Sequence, residues 1–134
     1  MAKSPNGKFS MLTSGADILF IPRVAEAIQR FGERYLQRIY TPGELVYCRG
    51  RVPELAVRFA AKEAIAKALG VGMRILAQDG IYWHDAEIVN DRLGKPNVQL
   101  HGKALVRAQA LGLTQWSVSL THEREYAVAF VVAL

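Results

Sequence analysis

Two carboxylates and one lysine in the first half of the sequence are the side chains whose types and spacing most clearly suggest chemistry. Asp17 is the only charged residue between Met11 and Ile21. Glu63 and Lys67 stand four positions apart in an alanine-rich segment, so a helix there places them on one side. Carboxylate oxygens are the ligands that Mg²⁺ prefers, and a lysine ammonium suits phosphate oxygens. The segment around Glu63 therefore allows a site where a cation and phosphate oxygens meet, and Asp17 separately allows an oxygen ligand for a hard cation.

A structural interpretation of the same residues stays open. Asp17 comes shortly after Gly15, and an aspartate near a glycine is commonly a turn or helix-cap residue. Glu63 and Lys67 have the spacing of a simple ion pair on an exposed helix, which contributes only about 0.2–0.5 kcal/mol. The sequence alone does not decide between the two interpretations.

The helix that must position Glu63 and Lys67 is predicted between Arg58 and Gly70. The segment is rich in alanine, lacks proline and ends at a glycine, which favours a helix that stops there. At about 100° per residue, one arc of this helix is uncharged and is formed by Val57, Ala60, Ala61, Ala64, Ile65 and Ala68. The remaining side mixes apolar residues with the charges of Arg58, Lys62, Glu63 and Lys67. A carboxylate in such surroundings is costly to desolvate unless a cation, a metal ion or a hydrogen bond compensates it.

Composition limits the classes of protein to which the chain can belong. Its 134 residues are 51% hydrophobic, enough for one domain with a real core, and no apolar run approaches the length of a membrane span. The formal net charge of +5 favours an anionic partner, such as nucleic acid, an acidic protein or a phosphorylated ligand. Cys48 is the only cysteine, which excludes an intrachain disulfide and fits a reducing cytoplasm. We predict a flexible leader at residues 1–10 and a single domain at residues 11–134.

The first half of this domain is predicted to contain one strand and several helices. Ile18 to Ile21 is apolar and β-prone, and Pro22 suits the first turn of a helix. That helix has an apolar face and, along its flank, an arginine stripe formed by Arg23, Arg30, Arg34 and Arg38. The stripe is either a solvated face or a surface for an acidic partner. Gly32 weakens the middle of the helix, and Thr41 to Glu44 has the pattern of a capping box that begins another one.

The second half is predicted to contain four strands and one helix. The expected strands run from Trp83 to Asn90, Asn97 to Leu100, Trp116 to Thr121 and Tyr126 to Leu134, and the helix runs from Gly102 to Leu111. Residues 90–96 and 122–125 are predicted turns, whereas residues 73–80 form an ambiguous stretch. Short turns between successive strands favour antiparallel pairing, so we predict an α+β fold, a small single domain with an antiparallel sheet packed against helices.

His122 is predicted at the base of the last hairpin. A lone histidine is usually a structural or surface residue. At the mouth of a hairpin it can instead contact a phosphate or accept a proton. Both roles remain open from the sequence.

Several segments together resemble the holo-acyl-carrier-protein synthase family, the small 4′-phosphopantetheinyl transferases. The most specific is Arg58 to Ala64, which reads Arg-Phe-Ala-Ala-Lys-Glu-Ala, followed by Lys67-Ala68-Leu69-Gly70. The others are Gly15 to Ile18, Gly94-Lys95-Pro96, His101-Gly102 and Ser119 to His122. The resemblance extends from about Met11 to Leu134. Thr13-Ser14 departs from it, because two hydroxyl residues stand where similar proteins tend to have a glycine or an apolar residue.

The resemblance implies an activity and a set of site residues. Such enzymes transfer the phosphopantetheine arm of coenzyme A to a serine of an apo acyl carrier protein, release adenosine 3′,5′-bisphosphate and support fatty acid biosynthesis. Asp17 and Glu63 match the magnesium-binding acids, and Lys67 matches a lysine that contacts the coenzyme A phosphates. The coenzyme A site is expected to include Arg58, Lys62, Lys67, Gly94, Pro96 and His122, with Arg58 and His122 near the adenosine 3′-phosphate. Arg23 and Arg30 match arginines that meet the acidic carrier helix, and the family usually forms homotrimers.

Two other functions compete with this prediction. A small basic nucleic-acid-binding module fits the charge, but Asp17 and Glu63 oppose phosphate binding unless a metal ion is present. A non-catalytic subunit that binds an acyl carrier protein fits the arginine stripe. The resemblance favours the transferase, with neither nucleic acid nor a membrane as partner.

Overall fold

The computed structural model describes residues 11–73 and 80–134. Its elements, in chain order, are β1 (Thr13–Phe20), α1 (Ile21–Phe31), α2 (Glu33–Ile39), α3 (Pro42–Cys48), α4 (Val52–Ala68), a 3₁₀ turn (Trp83–Asp85), β2 (Ala86–Asn90), β3 (Pro96–Leu100), α5 (Gly102–Ala110), β4 (Trp116–Glu123) and β5 (Tyr126–Ala133). The predicted leader, residues 1–10, lies outside the described residues. Residues 74–79, which belong to the stretch between α4 and the next predicted strand, also lie outside them.

The strands form two antiparallel sheets. One has the order β1-β5-β4, with Asp17 opposite Ala129 and Leu120 opposite the same alanine on the other side. The other is the β2–β3 hairpin, in which Asn90 is opposite Pro96. The predicted α+β fold with antiparallel pairing is confirmed.

Helix α4 packs across the three-stranded sheet and forms the centre of the core. Alternate residues of β5 point toward it, and Ala127, Ala129 and Val131 are fully buried. The helix is buried on more sides than its sequence predicts, because Arg58 and Lys62 are only 1% and 0% exposed. Arg58 and Lys62 are therefore inside the protein, whereas Glu63 is partly buried and Lys67 is exposed.

Gly15 allows β1 to lie directly against α4. A Cβ atom at this position would lie 2.9 Å from the Ala68 nitrogen and closer still to the Ala64 oxygen, so a larger side chain would force the two elements apart. Thr13 strengthens the same contact, because its hydroxyl donates a hydrogen bond of 2.8 Å to the Ala68 carbonyl near the end of α4. The hydroxyl residues at 13–14 thus belong to the strand, and the close approach holds Asp17 beside the helix.

The capping box predicted from Thr41 and Glu44 is confirmed. The Thr41 hydroxyl accepts a hydrogen bond from the Glu44 backbone N–H, and the Glu44 carboxylate accepts one from the Thr41 N–H. This motif could be predicted because all of its partners lie within one turn of chain.

Several predicted element boundaries differ from the structure. The first strand runs from Thr13 to Phe20 and not from Ile18 to Ile21, and α4 begins at Val52 and not at Arg58. The first helix is two helices, because Gly32 adopts φ 58° and breaks it. The strand predicted from Trp83 begins only at Ala86, since the Asp85 carboxylate accepts from the Tyr82 N–H and closes a 3₁₀ turn. The last hairpin turns at Arg124-Glu125 alone, which leaves His122 inside β4, opposite Ala127.

Candidate active site

Asp17 and Lys67 meet where β1 crosses α4. The Lys67 ammonium donates a hydrogen bond of 3.0 Å to the Asp17 carboxylate and another of 2.9 Å to the Ala16 carbonyl. Asp17 lies in the middle of β1, which excludes the turn or cap role considered above. The partner of Lys67 in this ion pair is Asp17, from another element, and not the Glu63 carboxylate four residues earlier.

Glu63 joins this group electrostatically. Partial burial raises the pKa of the Glu63 carboxyl, the negative charge of Asp17 raises it further, and the positive charge of Lys67 partly offsets both effects. Two ionised carboxylates that interact with each other and with one ammonium carry an excess of negative charge. Binding a cation or a proton lowers the repulsion between the two carboxylates.

The donor set fits a magnesium ion. Magnesium is commonly held by one or two protein carboxylates, and water and phosphate oxygens complete its octahedron. Among residues 11–73 and 80–134 no group of three or more His, Cys, Asp or Glu side chains is placed to hold a metal ion. The two-carboxylate set of Asp17 and Glu63 is thus suited to a cation that reaches the site together with a phosphorylated substrate.

Lys62 lies away from this group and has a different role from the one predicted. Its ammonium donates to the Glu44 carboxylate at 2.8 Å, the Trp83 carbonyl at 3.0 Å and the Ala86 carbonyl at 2.9 Å. An ammonium has three N–H donors, so these contacts use all of them. Burial lowers the pKa of Lys62, and the Glu44 carboxylate opposes that effect. The contacts of Lys62 are those of a structural ion pair and leave no donor for the predicted binding of coenzyme A.

The remaining residues predicted to bind coenzyme A surround one cleft. Its volume is about 310 Å³, and it is lined by Arg58, Gly94, Pro96 and His122 together with Tyr47, Glu54, Val57, Asn90, Leu120 and Thr121. The four predicted residues come from α4, the β2–β3 hairpin and β4, which are far apart in sequence. Tertiary structure brings them together as the resemblance implies.

Arg58 is the buried cation of this cleft. Its guanidinium donates to the Glu54 carboxylate at 2.9 Å and to the Asn90 side-chain oxygen at 2.6 Å, and its Cζ lies 4.5 Å from the centre of the Tyr47 ring. Sequence reasoning missed Tyr47, Glu54 and Asn90. Of these, only Glu54 had a sequence signal, its spacing of four residues before Arg58 within one helix.

Arg23 and Arg30 are exposed on α1, as a docking role requires. The predicted stripe is divided, however, because Arg34 and Arg38 belong to α2 beyond the break at Gly32. Those two arginines line a separate groove with Phe31, Tyr35, Ile39 and Trp83. Each of the two helices thus carries its own basic surface, and the two surfaces face different directions.

Comparisons with known proteins show the family of this chain. The sequence profile of the 4′-phosphopantetheinyl transferase superfamily matches residues 14–131, and the chain belongs to this family. It is 44% identical over 126 residues to a holo-[acyl-carrier-protein] synthase of Herpetosiphon aurantiacus, covering 92% of this chain and 99% of that one. It is 50% identical over 123 residues to the protein of the same name from Dehalococcoides mccartyi, covering 92% and 98%.

Solved structures give the same result for the fold. The Helicobacter pylori holo-[acyl-carrier-protein] synthase in complex with coenzyme A matches with a TM-score of 0.80 at 29% identity, covering 90% of this chain and 99% of that one. The Neisseria meningitidis holo-[acyl-carrier-protein] synthase matches with a TM-score of 0.79 at 34% identity, covering 91% and 97%. The family predicted from the sequence is confirmed.

Proposed function

We propose that this protein is a holo-[acyl-carrier-protein] synthase. It transfers the 4′-phosphopantetheine arm of coenzyme A to a serine of an apo acyl carrier protein and releases adenosine 3′,5′-bisphosphate. The observation that carries this proposal is the meeting of Asp17, Glu63 and Lys67 at the contact between β1 and α4. Relatives that carry this enzyme name align with nearly the whole chain, which supports it.

Asp17 and Glu63 are the proposed magnesium ligands. When bound, the ion would neutralise charge on the diphosphate of coenzyme A and orient its oxygens. Burial raises the pKa of Glu63 and the like charge of Asp17 raises it further, and a divalent cation would offset that repulsion. Among residues 11–73 and 80–134, the ion pair of Asp17 is with Lys67 and uses one of its two carboxylate oxygens, Oδ1. A carboxylate has about four lone-pair sites, so this pairing is compatible with a metal ligand role.

Lys67 is the proposed electrostatic catalyst. The serine oxygen forms a bond to the phosphorus that bears the pantetheine arm, and the bond from that phosphorus to the leaving bisphosphate breaks. The serine proton passes to a base at the site, and negative charge develops on the leaving group. A lysine whose ammonium is half exposed, with 54% of the side chain accessible, can turn from Asp17 toward that charge.

The cleft around Arg58 is the proposed site for the nucleotide end of coenzyme A. Arg58 supplies a buried positive charge, and His122 supplies a ring nitrogen close to it. Gly94 and Pro96 expose little side-chain bulk, which leaves room for a planar base. These features support the assignment of Arg58 and His122 to the 3′-phosphate.

Arg23 and Arg30 are the proposed contacts to the acidic carrier protein. Replacing either by glutamate should raise KM for the carrier about 10-fold and leave KM for coenzyme A unchanged, because charge reversal at a docking surface acts on association. Lys103→Glu on α5 is the charge-matched control. Equal effects of all three changes would mean that only net charge matters.

We also propose a homotrimer that acts in the cytoplasm in fatty acid biosynthesis. The outward side of the three-stranded sheet supports an assembly, since Ile18, Tyr126 and Phe130 are exposed there by 65%, 50% and 46%. An apolar face of this kind is commonly covered by another protein surface. Sedimentation equilibrium that gives three times the chain mass of 14.9 kDa would agree, and a single-chain mass would contradict it. Within the described ranges, no helix combines the length and apolar character needed to cross a bilayer.

One assay tests the reaction. The protein is incubated with an apo acyl carrier protein, coenzyme A and Mg²⁺, and the intact mass of the carrier is measured. We expect the carrier to gain one phosphopantetheine, and EDTA to prevent the gain until Mg²⁺ is restored. An unchanged mass with retained carrier binding would instead indicate a non-catalytic carrier-binding protein. Steep salt-dependent binding to generic DNA without transfer would indicate a nucleic-acid-binding module.

A further inference from the structure

Asn90 connects two sides of the cleft. It is the last residue of β2 and lies opposite Pro96 in the hairpin. Its side-chain oxygen accepts a hydrogen bond of 2.6 Å from the Arg58 guanidinium on α4, and its side-chain nitrogen donates one of 3.0 Å to the Gly94 carbonyl. Arg58, Gly94 and Pro96 all line the cleft. The Asn90 amide thus hydrogen-bonds two of these residues and lies opposite the third.

Chemistry fixes the orientation of this amide. A guanidinium only donates hydrogen bonds, and a backbone carbonyl only accepts them. The Asn90 oxygen must therefore face Arg58, and its nitrogen must face Gly94. Neither aspartate nor leucine, which have similar size, can make both contacts.

The contact matters because, within the part of the chain that the structure describes, the other hydrogen-bond acceptors of Arg58 lie on its own helix. Glu54 provides a carboxylate at 2.9 Å and a carbonyl at 3.0 Å from one guanidinium nitrogen, and it belongs to the preceding turn of α4. These contacts hold the arginine to α4 but do not fix it relative to the β2–β3 hairpin. The Asn90 side-chain oxygen accepts from the other terminal guanidinium nitrogen and so fixes Arg58 relative to the hairpin.

The hairpin turn is itself rigidly built. The Asp91 carboxylate accepts from the backbone N–H groups of Leu93 and Lys95, each at 2.9 Å, and Gly94 adopts φ 89°. Asn90 thus holds Arg58 to a defined turn and not to a loosely packed loop. Its amide sets the distance between the buried cation and the hairpin side of the cleft.

We propose that Asn90 is a positioning residue that makes the cleft selective for a donor with a 3′-phosphate. It acts through Arg58, by holding the guanidinium where that phosphate binds. This inference rests on the proposed function and adds a residue to it. The selectivity is expected to depend on the amide and not on the size of the side chain alone.

The test compares two donors in the transfer assay with Asn90→Ala. Coenzyme A carries the 3′-phosphate and 3′-dephospho-coenzyme A lacks it. We expect the ratio of kcat/KM for the two donors to fall about 10-fold in the variant, the effect of losing one hydrogen bond to a charged group, with most of the change in KM for coenzyme A. Because both donors are measured on one preparation, the ratio does not depend on how much of the variant is folded.

Asn97→Ala is the matched control. Asn97 lies on β3 of the same hairpin, and its side chain donates to the Lys95 carbonyl at 3.2 Å without lining the cleft. We expect its donor ratio to equal that of the wild type. A ratio unchanged in Asn90→Ala, with both donors weakened alike, would overturn the inference and leave the proposed function intact. A wild-type protein that transfers from neither donor would overturn the proposed function itself.

Discussion

Two lysines on one helix illustrate how the same side chain takes different roles in this protein. Lys62 is 0% exposed and uses its three donors on Glu44 and two backbone carbonyls. Lys67, little more than one turn further on, is 54% exposed and pairs with Asp17 at the edge of the molecule. Both residues match the same family segment, and the sequence predicts the same ligand for both.

The two lysines differ in whether their N–H donors remain available to a ligand. Moving an unpaired ammonium into the core costs several kcal/mol, so a buried lysine must be satisfied by protein acceptors and has nothing left for a ligand. An exposed lysine keeps its hydration and its freedom to rotate, so a phosphate can replace water around it. On α4 the buried side therefore stabilises the fold, and the partly exposed side around Glu63 and Lys67 is suited to chemistry.

The largest expected effect separates the two lysines by stability. Lys62→Met should lower the free energy of unfolding by about 3–5 kcal/mol, because it leaves the Glu44 carboxylate buried without its cation. Lys67→Met should change it by less than about 1 kcal/mol, since an exposed ion pair contributes little. Urea unfolding followed by circular dichroism measures both. Equal losses would show that the contrast in burial does not decide the roles.

A smaller effect concerns transfer. Glu63→Gln should reduce the turnover of carrier protein by about 10²–10³-fold, because it removes one proposed metal ligand while keeping the shape of the side chain. Glu33→Gln, an exposed acid on α2, is the control and should turn over normally. Wild-type turnover in Glu63→Gln would remove that residue from the mechanism.

The smallest effect is on the pH dependence of stability without metal. A carboxyl whose pKa is raised on folding binds its proton more tightly in the folded state, so its ionisation destabilises the fold as pH rises above the unfolded value of 4.5. In EDTA, Glu63→Gln should therefore gain stability relative to wild type between acid and neutral pH. Saturating Mg²⁺ and coenzyme A should stabilise the wild type more than the variant. A difference in unfolding free energy that does not vary with pH would contradict the raised pKa of Glu63.

Local signals explain the parts of the structure that were predicted correctly. The capping box of α3, the helix that stops before Gly70 and the alternation of β4 and β5 each depend on residues close in the chain. The errors were equally local in origin. Gly32 predicted a weak point in the first helix, but not that the helix ends there. Trp83 was predicted to begin a strand because the sequence pattern did not indicate that Asp85 closes a 3₁₀ turn.

Site residues divide in the same way. The resemblance grouped Asp17, Glu63 and Lys67 as site residues. In the structure Lys67 donates a hydrogen bond to Asp17, and the charge of Asp17 acts on Glu63. Asn90 was not predicted, because an asparagine at the end of a strand has no signature of a distant arginine partner. Lys62 was predicted to bind the ligand because the sequence does not show that it is buried. Its burial depends on Glu44, which lies 18 positions earlier in the chain.

The sequence by itself determined the family, the antiparallel α+β fold and the chemical types of the site, because helix periodicity, strand alternation and motif order are properties of the linear chain. Only the tertiary structure decided which charges are buried and satisfied and which remain available. That outcome depends on contacts such as Gly15 against α4 and Asn90 against Arg58, which join segments far apart in the chain and so leave no local pattern.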